Sequence, residues 1–170
     1  MTTPEFSRPL KLDTLGEARP ITIEADEAER TALAARFGLL SLDRLTATAD
    51  VARDGETVRV SGRLQAAVTQ ACVASGEPVP ATLDEAFLLR FEPEGGAELE
   101  EIELDEADLD VIAYEGSAVD LGEAAAQTLA LALDPFPRAP NATDALRAAG
   151  VIGEEDAGPF AALKALRDRL

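Results

Sequence analysis

Three runs between residues 45 and 91 alternate apolar and polar positions with a period of two. Leu45, Ala47, Ala49 and Val51 alternate with Thr46, Thr48 and Asp50. Arg53-Asp54-Gly55-Glu56 then supplies an Asp-Gly hairpin turn. Val58, Val60, Leu64, Ala66 and Val68 continue the pattern, alternating with Thr57, Arg59, Ser61, Arg63 and Gln65. After a second turn at Ala74-Ser75-Gly76-Glu77-Pro78, the positions Val79, Ala81, Leu83, Phe87, Leu89 and Phe91 share one phase. The pattern predicts an antiparallel meander with one face buried and one face wet. Strands of this length twist strongly. The pattern leaves open whether the sheet closes partly into a barrel.

Helical periods flank the meander. Asp26 and Glu29 form a capping-box signature, Leu33 and Phe37 lie four apart, and Gly38 follows, which predicts a helix over 27–37. A second helix is predicted over 120–133, with Asp120 as cap, Glu123 at the box position and an apolar stripe of Leu121, Ala125, Leu129, Ala132 and Leu133. The run Asp134-Pro135-Phe136-Pro137 ends it. A short helix is expected around 143–149, and Pro159 opens a last one whose Phe160, Leu163, Leu166 and Leu170 face one way. Pro9 suits its N-terminal segment to an edge strand, Pro20–Ile23 reads as another strand, and Leu109, Val111 and Ala113 suggest a further short one. The expected fold class is α+β: a twisted antiparallel meander packed with two main helices and a peripheral C-terminal helix. The expected organisation is one domain over 1–152, with a mobile acidic loop at 93–108, followed by a linker and amphipathic helix over 153–170.

Charge and composition narrow the chemistry. The 170 residues carry 33 Asp and Glu against 15 Lys and Arg, a net charge of -18. That opposes nonspecific coating of nucleic acid, so no DNA partner is expected. There is no His, which removes every mechanism that needs an imidazole, and a single Cys, which removes internal disulfides and multi-cysteine metal sites. No catalytic residue, metal ligand or cofactor is expected. The N-terminus lacks a basic region leading into an apolar one, and no apolar run approaches transmembrane length. A cytoplasmic protein without membrane contact is expected.

Four features remain as candidates. Cys72 continues the even apolar phase of the middle strand and is expected buried and metal-free. From Glu92 to Asp110 ten residues are acidic and none is basic; this reads as a solvated loop, with a weak cation site and a contact for a basic partner as alternatives. Arg53, Arg59 and Arg63 share an odd-numbered phase and could form a basic stripe that meets RNA phosphate, against the alternative of pairing with neighbouring acids. Lys164 and Arg167 lie opposite Phe160 and Leu163 in the last helix, which suits either its own dipole or docking on a partner.

The run Val68–Val79, with Cys72 and Pro78, resembles the central motif of the YceD family, bacterial proteins linked to accumulation of large-subunit (23S) ribosomal RNA. Phe87–Pro93 is similar to the strand that follows in that family, and an acidic stretch comes next in both. Asp120 through Leu133, ending in Pro135 and Pro137, is similar to its second block. Gly158-Pro159-Phe160-Ala161 resembles its C-terminal signature. Where many members carry a second cysteine, this chain has Ser75. The resemblance implies a part in 23S ribosomal RNA synthesis, processing or stability; with no His and one unpaired Cys the expected role is non-enzymatic, through contact with RNA or a ribosome-assembly protein. The alternative is an adaptor whose acidic loop holds basic ribosomal or processing proteins without touching RNA.

Overall fold

The Asp54-Gly55 signal becomes the turn of the longest hairpin, joining β3 (Ser41–Asp54) to β4 (Thr57–Ala71), with Gly55 at a φ of 62°. The computed structural model describes residues 4–95 and 110–151. Across the hairpin Val51 faces Val60, Ala47 faces Leu64 and Leu45 faces Ala66, and all six are buried. Gly62 falls opposite Ala49 because nothing larger fits. An added Cβ would lie 2.6 Å from the Thr48 carbonyl oxygen and 2.7 Å from both Ala49 Cβ and Phe87 Cζ. A bulge between Leu42 and Arg44 inserts one residue, which turns even-numbered Leu42 inward against Val68.

Strand β2 (Arg19–Glu24) pairs antiparallel with β3, while β5 (Pro78–Pro93) and β6 (Asp110–Tyr114) extend the other side. The sheet order is β2-β3-β4-β5-β6, so β2 and β6 are both edges and the described strands form an open sheet. The α+β class and the antiparallel meander hold; the further short strand, whose direction the pattern does not state, runs parallel to β5, with Phe91 opposite Ile112. A parallel neighbour needs a crossover of a dozen or more residues, and residues 94–109 separate the two strands. The phase of β6 differs from the expectation. Tyr114 is buried and Ile112 half-buried, while Val111 is 50% exposed. The larger aromatic ring wins the inward position, and its hydroxyl donates to the Glu56 carbonyl oxygen at 2.7 Å.

Helix α1 (Glu27–Phe37) starts with the capping box formed by Asp26 and Glu29 and ends at Gly38, whose φ is 65°. Strands β1 (Pro9–Lys11) and β7 (Ala118–Asp120) make a separate two-stranded ladder, and α2 (Leu121–Ala132) follows β7 directly. Leu33 of α1 and Leu121, Ala125 and Leu129 of α2 join the inward residues of β3, β4 and β5 in one apolar cluster. α2 meets the N-terminal segment closely at Gly122, where a Cβ would lie 2.5 Å from the Phe6 carbonyl oxygen. The last described helix is α3 (Ala142–Ala148).

The chain divides into two compact units: Met1–Thr69 with Pro80–Asp134, and Gln70–Val79 with Pro135–Leu170. In the second, Cys72, Ala139 and Ala142 form a small apolar cluster with Ala74 and Val79. No helix among the described residues is long and apolar enough to cross a membrane. Residues 96–109 and 152–170 lie outside the described residues. Most of the acidic stretch, and the expected final helix with Pro159, Phe160, Leu163, Lys164 and Arg167, fall there.

Candidate functional site

The arginine stripe does not assemble. β3 and β4 pair so that Arg53 lies opposite Val58, while Arg59 lies opposite Ala52 and Arg63 opposite Thr48. Inward positions are odd-numbered on β3 and even-numbered on β4, so counting odd positions through the turn puts Arg53 on the wrong side of the sheet. Its guanidinium donates to the carbonyl oxygens of Leu12 and Gly55, at 2.5 and 2.7 Å. Arg63 is on the wet face and in an ion pair with Asp84 of β5. The Asp84 hydrogen bond raises the Arg63 pKa, and the reciprocal bond lowers that of Asp84. Among the described residues only Arg59 of the three has no hydrogen-bond or ion-pair partner. Wet-face positions on the paired strands include Thr22, Thr48, Ser61 and Gln65 beside charged residues such as Asp50 and Asp84, and the large aromatics Phe87, Phe91 and Tyr114 are all buried. That leaves no platform for stacking unpaired bases there.

Cys72 is 3% exposed, but its surroundings are more polar than an apolar face. The loop from Cys72 to Pro78 folds over it: Cys72 N–H donates to the Glu77 carbonyl oxygen, and Gly76 N–H donates to that of Cys72, both at 2.8 Å. Ala139 N–H donates to the sulfur at 3.3 Å. The N–H aimed at the sulfur favours thiolate. The Ala139 N–H, then the Ser75 hydroxyl, bring the thiol pKa down to about 7, against the opposing effect of burial. Val73 N–H donates to the buried Pro137 carbonyl, at 2.9 Å, within the same unit. The family-motif positions here are thus parts of one loop packing. Pro78 opens β5, and Pro135 and Pro137 carry the chain from the end of α2 to Ala139.

Asp120 does more than cap α2. Its Oδ1 accepts from Arg8 N–H, Gly122 N–H and Glu123 N–H at 2.8, 2.9 and 3.1 Å. Its Oδ2 accepts from the Ser7 hydroxyl at 2.5 Å. The cap signature was legible, but the Ser7 and Arg8 partners lie 113 and 112 residues away and leave no local trace. The same applies to Arg36, which holds both Glu123 oxygens at 2.8 and 2.9 Å and Glu5 at 2.9 Å. Its hydrogen bond holds the Glu123 carboxyl below its ordinary pKa.

Two open clefts flank β6. One, of about 500 Å³, is lined by Arg53, Glu56, Glu94, Tyr114 and Glu115 among others. Its Glu94 and Glu115 carboxyls crowd each other, and the hydrogen bond between them raises the Glu94 pKa. The other, of about 260 Å³, runs between β6 and α2. Among the described residues no group of three or more Cys, Asp or Glu side chains is arranged to hold a metal ion.

No curated protein and no solved structure matches the chain. A family model does match, over residues 60–167, a span that takes in the Cys72 loop, β5, β6, Asp120 and α2. The chain therefore belongs to the family described as large ribosomal RNA subunit accumulation protein YceD.

Proposed function

We propose that this chain supports accumulation of 23S ribosomal RNA as a non-enzymatic cytoplasmic factor, and that it does so by holding a basic protein of the assembling large subunit. Family membership supplies the link to large-subunit RNA. The observation that favours a protein over RNA as the direct contact is the dispersal of the three arginines. Arg53 is turned to the other face and Arg63 is paired with Asp84. A chain of net charge -18 with one unpaired arginine of the three offers phosphate little. It offers a basic partner a great deal. The absence of His from the sequence is in keeping with a binding role.

The test is recovery of partners from lysate with and without nuclease, together with binding of isolated 23S RNA fragments across a salt series. Basic ribosomal proteins retained after nuclease, and released as salt rises, are the expected result. Partners that appear only while RNA is intact, with salt-sensitive binding of RNA alone that Arg59→Glu abolishes, would overturn the protein-contact reading in favour of RNA.

A further inference from the structure

The two edges of the five-stranded sheet are not alike. β2 carries Pro20, which removes a backbone donor and blunts that edge. β6 reads Asp-Val-Ile-Ala-Tyr, with neither Pro nor Lys, and among the described residues no strand pairs with its outer side. Beside it lies the groove of about 260 Å³, bounded by Ile112, Ala113 and Tyr114 of β6 on one side and by Glu123, Ala124 and Gln127 of α2 on the other. Phe91, Tyr114 and Ala124 are buried, so the floor is apolar, while Gln127 is exposed at the rim. An edge strand facing a helix across an apolar groove is the arrangement that accepts an added strand: main-chain hydrogen bonds hold the peptide and the floor selects alternate side chains.

Charge says what kind of peptide. No Lys or Arg lines the groove. Glu123 is neutralised by Arg36, and Arg90 on the neighbouring strand is paired with Glu92, so neither sets the sign. The ends of β6 do. Asp110 is its first residue, and Glu115 follows its last; Glu94, which donates its N–H to the Tyr114 carbonyl at 2.9 Å, sits beside that end. The five residues of β6 span roughly 16 Å at about 3.3 Å each. A strand laid along them therefore meets carboxylates at both ends.

We propose that an extended basic peptide adds to β6 as a further strand, in the groove between β6 and α2, with its apolar side chains on Phe91, Ile112 and Tyr114. This rests on the reading that the partner is a basic protein, and it specifies how a segment of that partner is held. A phosphate backbone is disfavoured at the same place by the carboxylates that attract lysine.

The experiment uses the full chain and a short synthetic peptide of alternating lysine and valine. Binding is followed by the amide shifts and hydrogen exchange of residues 110–114. The expected result is saturable binding with new protection in β6. It is lost when alternate peptide nitrogens of the ligand are methylated, because strand pairing needs those donors while the charges remain. Asp110→Lys and Gln127→Lys, both at exposed positions, should each weaken binding by roughly tenfold, with amide shifts elsewhere unchanged. Equal binding of the methylated peptide, or protection that appears only away from β6, would overturn strand addition and leave the basic-partner reading standing. No binding of the lysine–valine peptide would likewise overturn it, since the partner reading is judged separately by nuclease-resistant recovery of basic ribosomal proteins.

Discussion

Replacing Asp120 by Ala removes an acceptor that four donors share, and the cost can be worked from those donors. Gly122 N–H and Glu123 N–H belong to the first turn of α2, and loss of such a cap costs about 1 kcal/mol. Arg8 N–H and the Ser7 hydroxyl come from the N-terminal segment, and both are partly buried. Each loses its partner in the variant, at about 1 kcal/mol apiece where water can partly replace it. The total is about 3 kcal/mol, which for a domain of this size lowers the melting temperature by roughly 6–12 °C. Asp120→Asn separates acceptor geometry from charge. Three of the four donors use Oδ1, which the amide oxygen can replace, and the Ser7 hydroxyl can turn to accept from the amide nitrogen. Asp120→Asn should therefore cost about 1 kcal/mol or less. Chemical denaturation of the wild type and both variants, with Ser7→Ala and the double variant to complete a cycle, measures each contribution. A loss under about 0.5 kcal/mol for Asp120→Ala would refute the four-donor account. An Asn variant as unstable as the Ala variant would show that charge, not acceptor geometry, holds this junction.

Other expectations are shorter to state. Gly122→Ala drives a methyl into the backbone of Phe6 and Arg8 and should cost about 3 kcal/mol on unfolding, whereas Gly116→Ala meets no neighbouring atom and is opposed only by its φ of 79°. Gly62→Ala should destabilise by about 1–3 kcal/mol, and Phe87→Leu, which withdraws one of the clashing atoms, should make the two changes less than additive. The Cys72 thiol, lowered from 9.0 to about 7 by the Ala139 N–H and the Ser75 hydroxyl, titrates earlier in the folded chain than in the unfolded one. Its contribution is present above the unfolded pKa and lost as pH falls through about 7, so the stability of the wild type relative to Cys72→Ala should grow between pH 7 and 9. Parallel pH profiles would count against hydrogen bonding to the sulfur by the Ala139 N–H and the Ser75 hydroxyl. Because the sulfur already accepts the Ala139 N–H, Cys72→Ser should cost less than burial on an apolar face implies, about 1 kcal/mol by equilibrium unfolding. Arg63→Ala should change stability by no more than about 0.5 kcal/mol, since Arg63 and Asp84 are both exposed.

Local chemistry made much of this fold legible. The period-two runs, the Asp54-Gly55 turn, the Asp26/Glu29 box, the Gly38 stop and the Asp120 cap each act over a few residues, and each appears where the pattern puts it. The family motif around Cys72 and Pro78 was legible for the same reason. What the sequence could not decide was pairing across distance. The facing of Arg53 depends on the register across a two-residue turn, and that of Leu42 on an inserted residue in β3. The parallel placement of β6 depends on a crossover, because a five-residue run states neither its direction nor which phase goes inward until Tyr114 finds Glu56. The Ser7–Asp120 and Arg36–Glu123 contacts join residues 113 and 87 positions apart. A side chain's partner at that separation is chosen by the packed backbone, and hydrophobic periodicity reports only which face is buried, not what the opposite face will meet.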